Sequence, residues 1–212
     1  MEKIVIQLQE EALSNETDIL SLMRKAYFIA RKLNLKEFEE WISNEQNGYP
    51  TNSKVPDYRN VFGEIKAWNP YAGWVPVVCE STTPFHTQNL RDSIASLLDI
   101  YNNSKSKSCM ICFSPEVNAF LSKSCDTQTN FSLNFSTNKI YDIIEQVRNK
   151  ILDWAITLEE NDIIGEGLSF TDEEKNKASS SASIINYTNN FYSSVEGTQI
   201  QQDTTDSIQS IK

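Results

Sequence analysis

Apolar residues recur at helical spacing through the N-terminal quarter of the chain, and the pattern then changes to alternation. Residues 3–13 place Ile4, Leu8 and Leu13 on one face and predict a short first helix. Residues 18–33 predict a second, with Ile19, Leu22, Met23, Ala26, Ile29, Ala30 and Leu33 inward and Thr17 or Asn15 as its N-cap. A third is expected over 36–46, where Phe38, Trp41, Ile42 and Glu45 form an i, i+3, i+4, i+7 stripe. The last member of that stripe is a carboxylate. Burying it alone is very costly, so it needs a cation, and Arg59 or Arg24 is the natural partner. Gly48 stands where a left-handed helix cap wants glycine, and Pro50 and Pro56 turn the chain beyond it.

After Pro56 the period shortens. Residues 61–68 and 75–79 read as strands joined by the aromatic loop NPYAGW, with another strand near 108–113. Residues 129–135 alternate, Phe131, Leu133 and Phe135 on one face and Asn130, Ser132 and Asn134 on the other, which predicts a half-buried antiparallel strand. Short helices are expected over 89–101, with Leu90, Ile94, Leu97, Leu98 and Tyr101 on one face, and over 116–123. The longest helix spans 138–160, behind Ser136 or Thr137, with a stripe from Ile140 through Val147 and Trp154 to Leu158. Thr171 and Glu174 have capping-box spacing and open a brief helix.

The expected fold class is α+β: N-terminal helical hairpins, a small antiparallel sheet and a long C-terminal helix, followed by a low-complexity tail. Residues 1–175 form the globular domain. Residues 176–212 read as a flexible linker (178–183 is ASSSAS) and a weakly β-forming tail, with strand segments at 185–192 and 195–201.

Composition narrows the function. The 212 residues carry a formal charge of −10 and a pI near 4.7, which argues against a dedicated duplex-DNA binder. One basic face remains, Arg24, Lys25, Arg31 and Lys32 on the second helix. We read it as pairing with Glu37, Glu39 and Glu40, so nucleic-acid binding stays open but is not favoured. No apolar run approaches the roughly eighteen residues of a membrane span. Glu10 and Glu11 stand where a secretion signal would be apolar. The expected location is the cytoplasm, with no membrane partner.

Candidate chemistry is thin. Cys109 and Cys112 have zinc-type spacing, and Cys79 and Cys125 would complete four ligands. Strand alternation, however, sends Cys109 and Cys112 to opposite faces, so no metal and four reduced thiols are expected. Asp57 with Glu45 would suit a cation, but arginine compensation is the simpler role. The single histidine, His86, has no arginine five residues before it, which removes the Arg-x-x-x-x-His signature of helical RNases. No phosphate loop, nucleophile elbow or H-E-x-x-H occurs, and nothing calls for a cofactor. Catalysis is therefore not the favoured reading.

Two blocks carry a likeness. MRKAYFIARKLNLKEFEEWISNEQNGYP…VPDYR, residues 23–59, resembles the N-terminal signature of the AbiTii family of bacterial abortive-infection proteins. VRNKILDWAITLEENDIIGEGLSFTDEE, residues 147–174, resembles that family's C-terminal part. The signature positions here are Arg24, Trp41, Glu45, Asn47, Gly48, Tyr49, Pro56, Tyr58 and Arg59; Asp57 lies among them and completes the candidate site. The resemblance implies defence against bacteriophage, in which an infected cell is arrested or killed before the phage matures. It brings no catalytic residue set. The leading expectation is a non-catalytic binding, sensor or regulatory module whose partner is a phage component or a neighbouring effector. The alternatives are a toxin enzyme such as an RNase, or an assembly module that self-associates through residues 184–201.

Overall fold

The computed structural model describes residues 2–104 and 106–189. Three helices come first, α1 (Ile4–Leu13), α2 (Ile19–Leu33) and α3 (Lys36–Asn47). A 3₁₀ turn (Asp57–Arg59) leads to β1 (Asn60–Phe62), β2 (Glu64–Asn69) and β3 (Gly73–Pro76). A 3₁₀ segment (Glu80–Phe85), β4 (Thr87–Asn89), α4 (Ile94–Asn103), β5 (Ser108–Cys112), α5 (Pro115–Ser124) and β6 (Phe131–Ser136) follow. The described chain closes with α6 (Asn138–Glu160), α7 (Asp172–Ser180) and α8 (Ala182–Asn189). The class is α+β, with a four-stranded antiparallel sheet in the order β3-β2-β6-β5 and a two-stranded one pairing β1 with β4.

The organiser is α6. Its stripe Ile140, Ile143, Ile144, Val147, Ile151, Trp154, Ala155 and Leu158 is buried, against α1, α2, α4 and α8 on its several sides. Arg148 in the same helix donates to the Ser14 carbonyl (3.3 Å) and the Thr17 carbonyl (3.0 Å), which ties down the α1–α2 loop.

Several local expectations change. Leu13 is 70% exposed, because the face of α1 against α6 is carried by Ile4, Val5, Leu8 and Ala12. Asp18, rather than Thr17 or Asn15, caps α2, its carboxylate accepting the amides of Leu20 and Ser21. Gly48 has φ +90° and ψ 157°, outside the left-handed helical basin. It lies under the Arg91 carbonyl, where a Cβ would come within 3.0 Å. The expected strand over 61–68 is split at Gly63, whose backbone crosses so close to Asn134 that a Cβ would lie 2.4 Å from its carbonyl oxygen. The first piece then pairs with β4, whose last residue, Asn89, is the expected start of the helix over 89–101. Helix α4 begins later, where the Ser93 hydroxyl accepts the Ser96 amide. On β6 the apolar face is buried as expected, yet Ser132 on the other face is also 0% exposed. It is a small side chain on an inner strand, flanked in register by Lys66 and Cys112.

The serine-rich stretch also departs from its expected linker form. Ser179 and Ser180 donate to the carbonyls of Lys175 and Asn176 one turn back (2.8 and 2.7 Å), so the hydroxyls are satisfied within a helix. Ala178 and Ile184 are buried, and the Tyr187 hydroxyl donates to the Lys150 carbonyl (2.9 Å). Residues 185–189 are thus helical rather than strand. The segment 195–201 lies outside the described residues.

The capping box forms, and Glu174 does more than cap. Its carboxylate accepts the amides of Ile164 (3.1 Å), Gly165 (2.8 Å) and Thr171 (2.8 Å). Burial raises its pKa, but these bonds outweigh that and hold it below the usual glutamate value. A lowered folded-state pKa gives stability that is present above the ordinary glutamate range and is lost as pH falls through the lowered value. Glu174→Gln is expected to flatten the acid limb of stability against pH, read by denaturant titration between neutral and acid buffers. Gly63→Ala should cost about 1–3 kcal/mol by overpacking against backbone, a fall of roughly 2–4 °C in Tm per kcal/mol for a chain of this size.

Candidate functional site

Helix α3 presents Phe38, Trp41, Ile42 and Glu45 to the interior because they share one face. The chain then leaves at Gly48 and returns through Pro56, whose fixed φ of −58° starts the 3₁₀ turn that aims Tyr58 and Arg59 at the same point. Glu45 and Arg59 meet there, both 0% exposed. Arg59 Nε lies 3.2 and 3.1 Å from the two carboxylate oxygens, and its Nη2 donates to Glu45 Oε2. Its Nη1 donates to the carbonyls of Leu90 (2.9 Å) and Asp92 (2.7 Å). Glu45 Oε1 also accepts the hydroxyls of Tyr49 (2.6 Å) and Tyr58. Trp41 Nε1 donates to the Tyr58 oxygen (2.9 Å). Each guanidinium nitrogen and both carboxylate oxygens of this buried pair have at least one hydrogen-bond partner.

The aromatic rings close the surroundings. The Arg59 guanidinium lies 4.8 Å from the Tyr49 ring centre, and Lys150 Nζ lies 5.5 Å from that of Tyr58. Phe38 stacks on Trp154 at 3.7 Å and meets Trp41 edge-on at 5.1 Å. Burial, reinforced by the Glu45 charge, pushes the Tyr49 and Tyr58 phenols far above their usual pKa, so both stay donors. Burial opposes the Arg59 charge, but Glu45 outweighs it and raises the guanidinium pKa. Lys150 is held below the usual lysine value by burial.

Of the candidate residues, Trp41, Glu45, Tyr49, Tyr58 and Arg59 converge. Gly48 belongs through its close approach to Arg91, whose carbonyl also accepts the Tyr49 amide (2.8 Å). Asn47 is exposed and donates to the Ser43 carbonyl (2.8 Å), finishing the helix. Asp57 is exposed and starts the 3₁₀ turn. Arg24 is not part of the centre. It lies on the outer face of α2, donating to Ser21 Oγ (2.8 Å) and 3.8 Å from Asp18. The rest of that basic face is spent locally too, with Lys25 on Glu11, Arg31 3.5 Å from Glu39, and Lys32 over Phe28. Lys150 and the carbonyls of Leu90 and Asp92 were missed. Lys150, on the margin of the α6 stripe four residues before Trp154, was the one legible hint.

The other chemical groups lie elsewhere. His86 Nδ1 contacts the Gly63 carbonyl (2.8 Å), Nε2 contacts Thr82 Oγ1 (3.3 Å), and the ring stacks on Phe62. In register, Cys109 faces Phe135 and Cys112 faces Ser132, on opposite faces of β5 as alternation requires. Among the described residues no three metal-capable side chains converge. The Cys79 and Cys125 thiols act on one another: Cys125 lowers the Cys79 pKa, and burial first, then Cys79, pushes Cys125 up to about 11.

Removing one member of the ion pair leaves the other charge buried. Glu45→Ala is expected to cost about 3–5 kcal/mol, and Trp41→Ala a similar amount through cavity formation. The double variant Glu45→Leu/Arg59→Met should recover part of the single-variant loss, measured by denaturant midpoints.

No curated protein and no solved structure matches the chain. One family model does, AbiTii, over residues 3–183, a span that takes in the buried centre, both sheets and the long helix. The chain therefore belongs to the AbiTii family, which places it among abortive-infection proteins of phage defence.

Proposed function

We propose that this chain serves phage defence as a non-catalytic binding and regulatory module that engages a protein, either a phage component or a neighbouring effector. The observation that carries the reading is where the polar chemistry lies. Among the described residues, the buried set of titratable and hydrogen-bonding groups formed by Glu45, Arg59, Tyr49 and Tyr58 is turned inward, and its polar atoms bond to one another or to backbone. A group in that state organises a fold and does not reach a substrate. His86 is likewise held through both ring nitrogens by Gly63 and Thr82. Buried polar networks of this kind rigidify a domain and present its outer surfaces in one arrangement. No described helix is long and apolar enough to cross a membrane, so the reading needs no bilayer.

The test is phage plating on cells that express the chain. His86→Gln and Asp57→Asn, each with an unchanged melting temperature, are expected to keep full protection. Among variants of the buried centre, protection should fall only in those that lose the fold, such as Glu45→Ala. Loss of both protection and RNA cleavage in folded His86→Gln would overturn this reading in favour of a toxin enzyme.

A further inference from the structure

The four-stranded sheet has two edges, and they are built differently. The β3 edge, GWVP, carries a proline, a residue that cannot extend a ladder. The β5 edge, SCMIC, carries neither proline nor charge. Edge strands without such protection offer unpaired donors and acceptors to another strand. At the two ends of β5 the Thr137 amide donates to the Lys107 carbonyl and the Phe113 amide to the Phe131 carbonyl. By the two-residue period, the odd-numbered residues of β5 therefore turn their backbone groups to β6. Ser108, Met110 and Cys112 turn theirs outward. The Ser108 amide rests on Ser106 Oγ at 3.2 Å, a contact it would exchange on pairing.

We infer that β5 pairs antiparallel with β5 of a second copy of this chain, about a two-fold axis at Met110. The outward set is symmetric about its middle member. Met110 then faces the partner's Met110, and Ser108 faces the partner's Cys112, each pair exchanging two backbone hydrogen bonds. A two-fold interface requires such self-complementarity. Charge agrees with the direction. Exposed Lys107 at one end of β5 comes beside the partner's Phe113, near the partner's exposed Glu116 at the start of α5. Apolar surface is also available, since Met110 is 46% exposed and Ile100 of α4 is 43% exposed. A groove of about 630 Å³ runs between α4 and β5, lined by Leu97, Ile100, Cys109, Ile111 and Phe135. The pairing sets each Ile111 opposite the partner's Cys109, along the mouth of that groove. The result is one continuous antiparallel sheet through two domains.

The test is sedimentation of the full chain under reducing conditions, with Met110→Lys and Met110→Glu. The parent is expected to dimerise. Each variant, at an unchanged melting temperature, should raise the dimer dissociation constant at least tenfold, because it sets like charges together on the axis. Mixing the two variants should restore a dimer, since the axis pairs position 110 with itself. A monomeric parent would overturn the inference. So would a dimer that survives Met110→Lys, which would place self-association on another surface, residues 184–201 included, or variants that stay monomeric when mixed.

Discussion

A carboxylate and a guanidinium with no solvent-exposed surface set the terms for the rest of this domain. Desolvating Glu45 and Arg59 costs several kcal/mol for each ion, so the pair persists only if the surrounding chain replaces the lost water contacts. It does so from four separate segments. Helix α3 brings Glu45 and Trp41, the turn after Pro56 brings Tyr58 and Arg59, the segment before α4 gives two carbonyls, and α6 sets Lys150 against Tyr58. These segments range from Trp41 to Lys150, so the ion pair works as a registration device between the helical part and the chain entering the sheet.

Around that centre the packing follows from α6. One helix with a continuous stripe can be covered by several partners only if each brings its own apolar face, and α1, α2, α4 and α8 do so. The sheet then grows away from the helices, with β6 reached directly before α6 and β5 left at the rim. Gly63 makes this geometry possible by letting β2 pass close to Asn134 while β1 turns aside to β4.

This division of labour bears on how a defence protein of this family acts. Trp41, Glu45, Tyr49, Tyr58 and Arg59 hold the interior together through their mutual hydrogen bonds. On the proposed function, recognition falls to the surfaces that this interior holds in place. The segment Leu90 to Asp92 joins the two, because its carbonyls bind Arg59 while Leu90 and Asp92 line the α4–β5 groove.

Much of this was legible in the sequence, for a physical reason. Helices with a one-sided apolar stripe must bury it, so α2, α3 and α6 could be read from period alone, and a carboxylate on such a stripe announces a buried cation partner. Alternation placed Phe131, Leu133 and Phe135 inward and separated Cys109 from Cys112. What period cannot carry is any contact between segments. It could not choose between Arg59 and Arg24 for Glu45, because both are near in sequence and only the turn at Pro56 aims one of them inward. It read the serine run as a linker, because the hydroxyl-to-carbonyl bonds and the docking of Ala178, Ile184 and Tyr187 on neighbouring helices leave no mark in composition. It read 61–68 as one strand, because the close approach that splits it at Gly63 comes from Asn134, 71 positions away. Local pattern decides which face of an element is apolar; only the assembled fold decides what that face, and each charge on it, will meet.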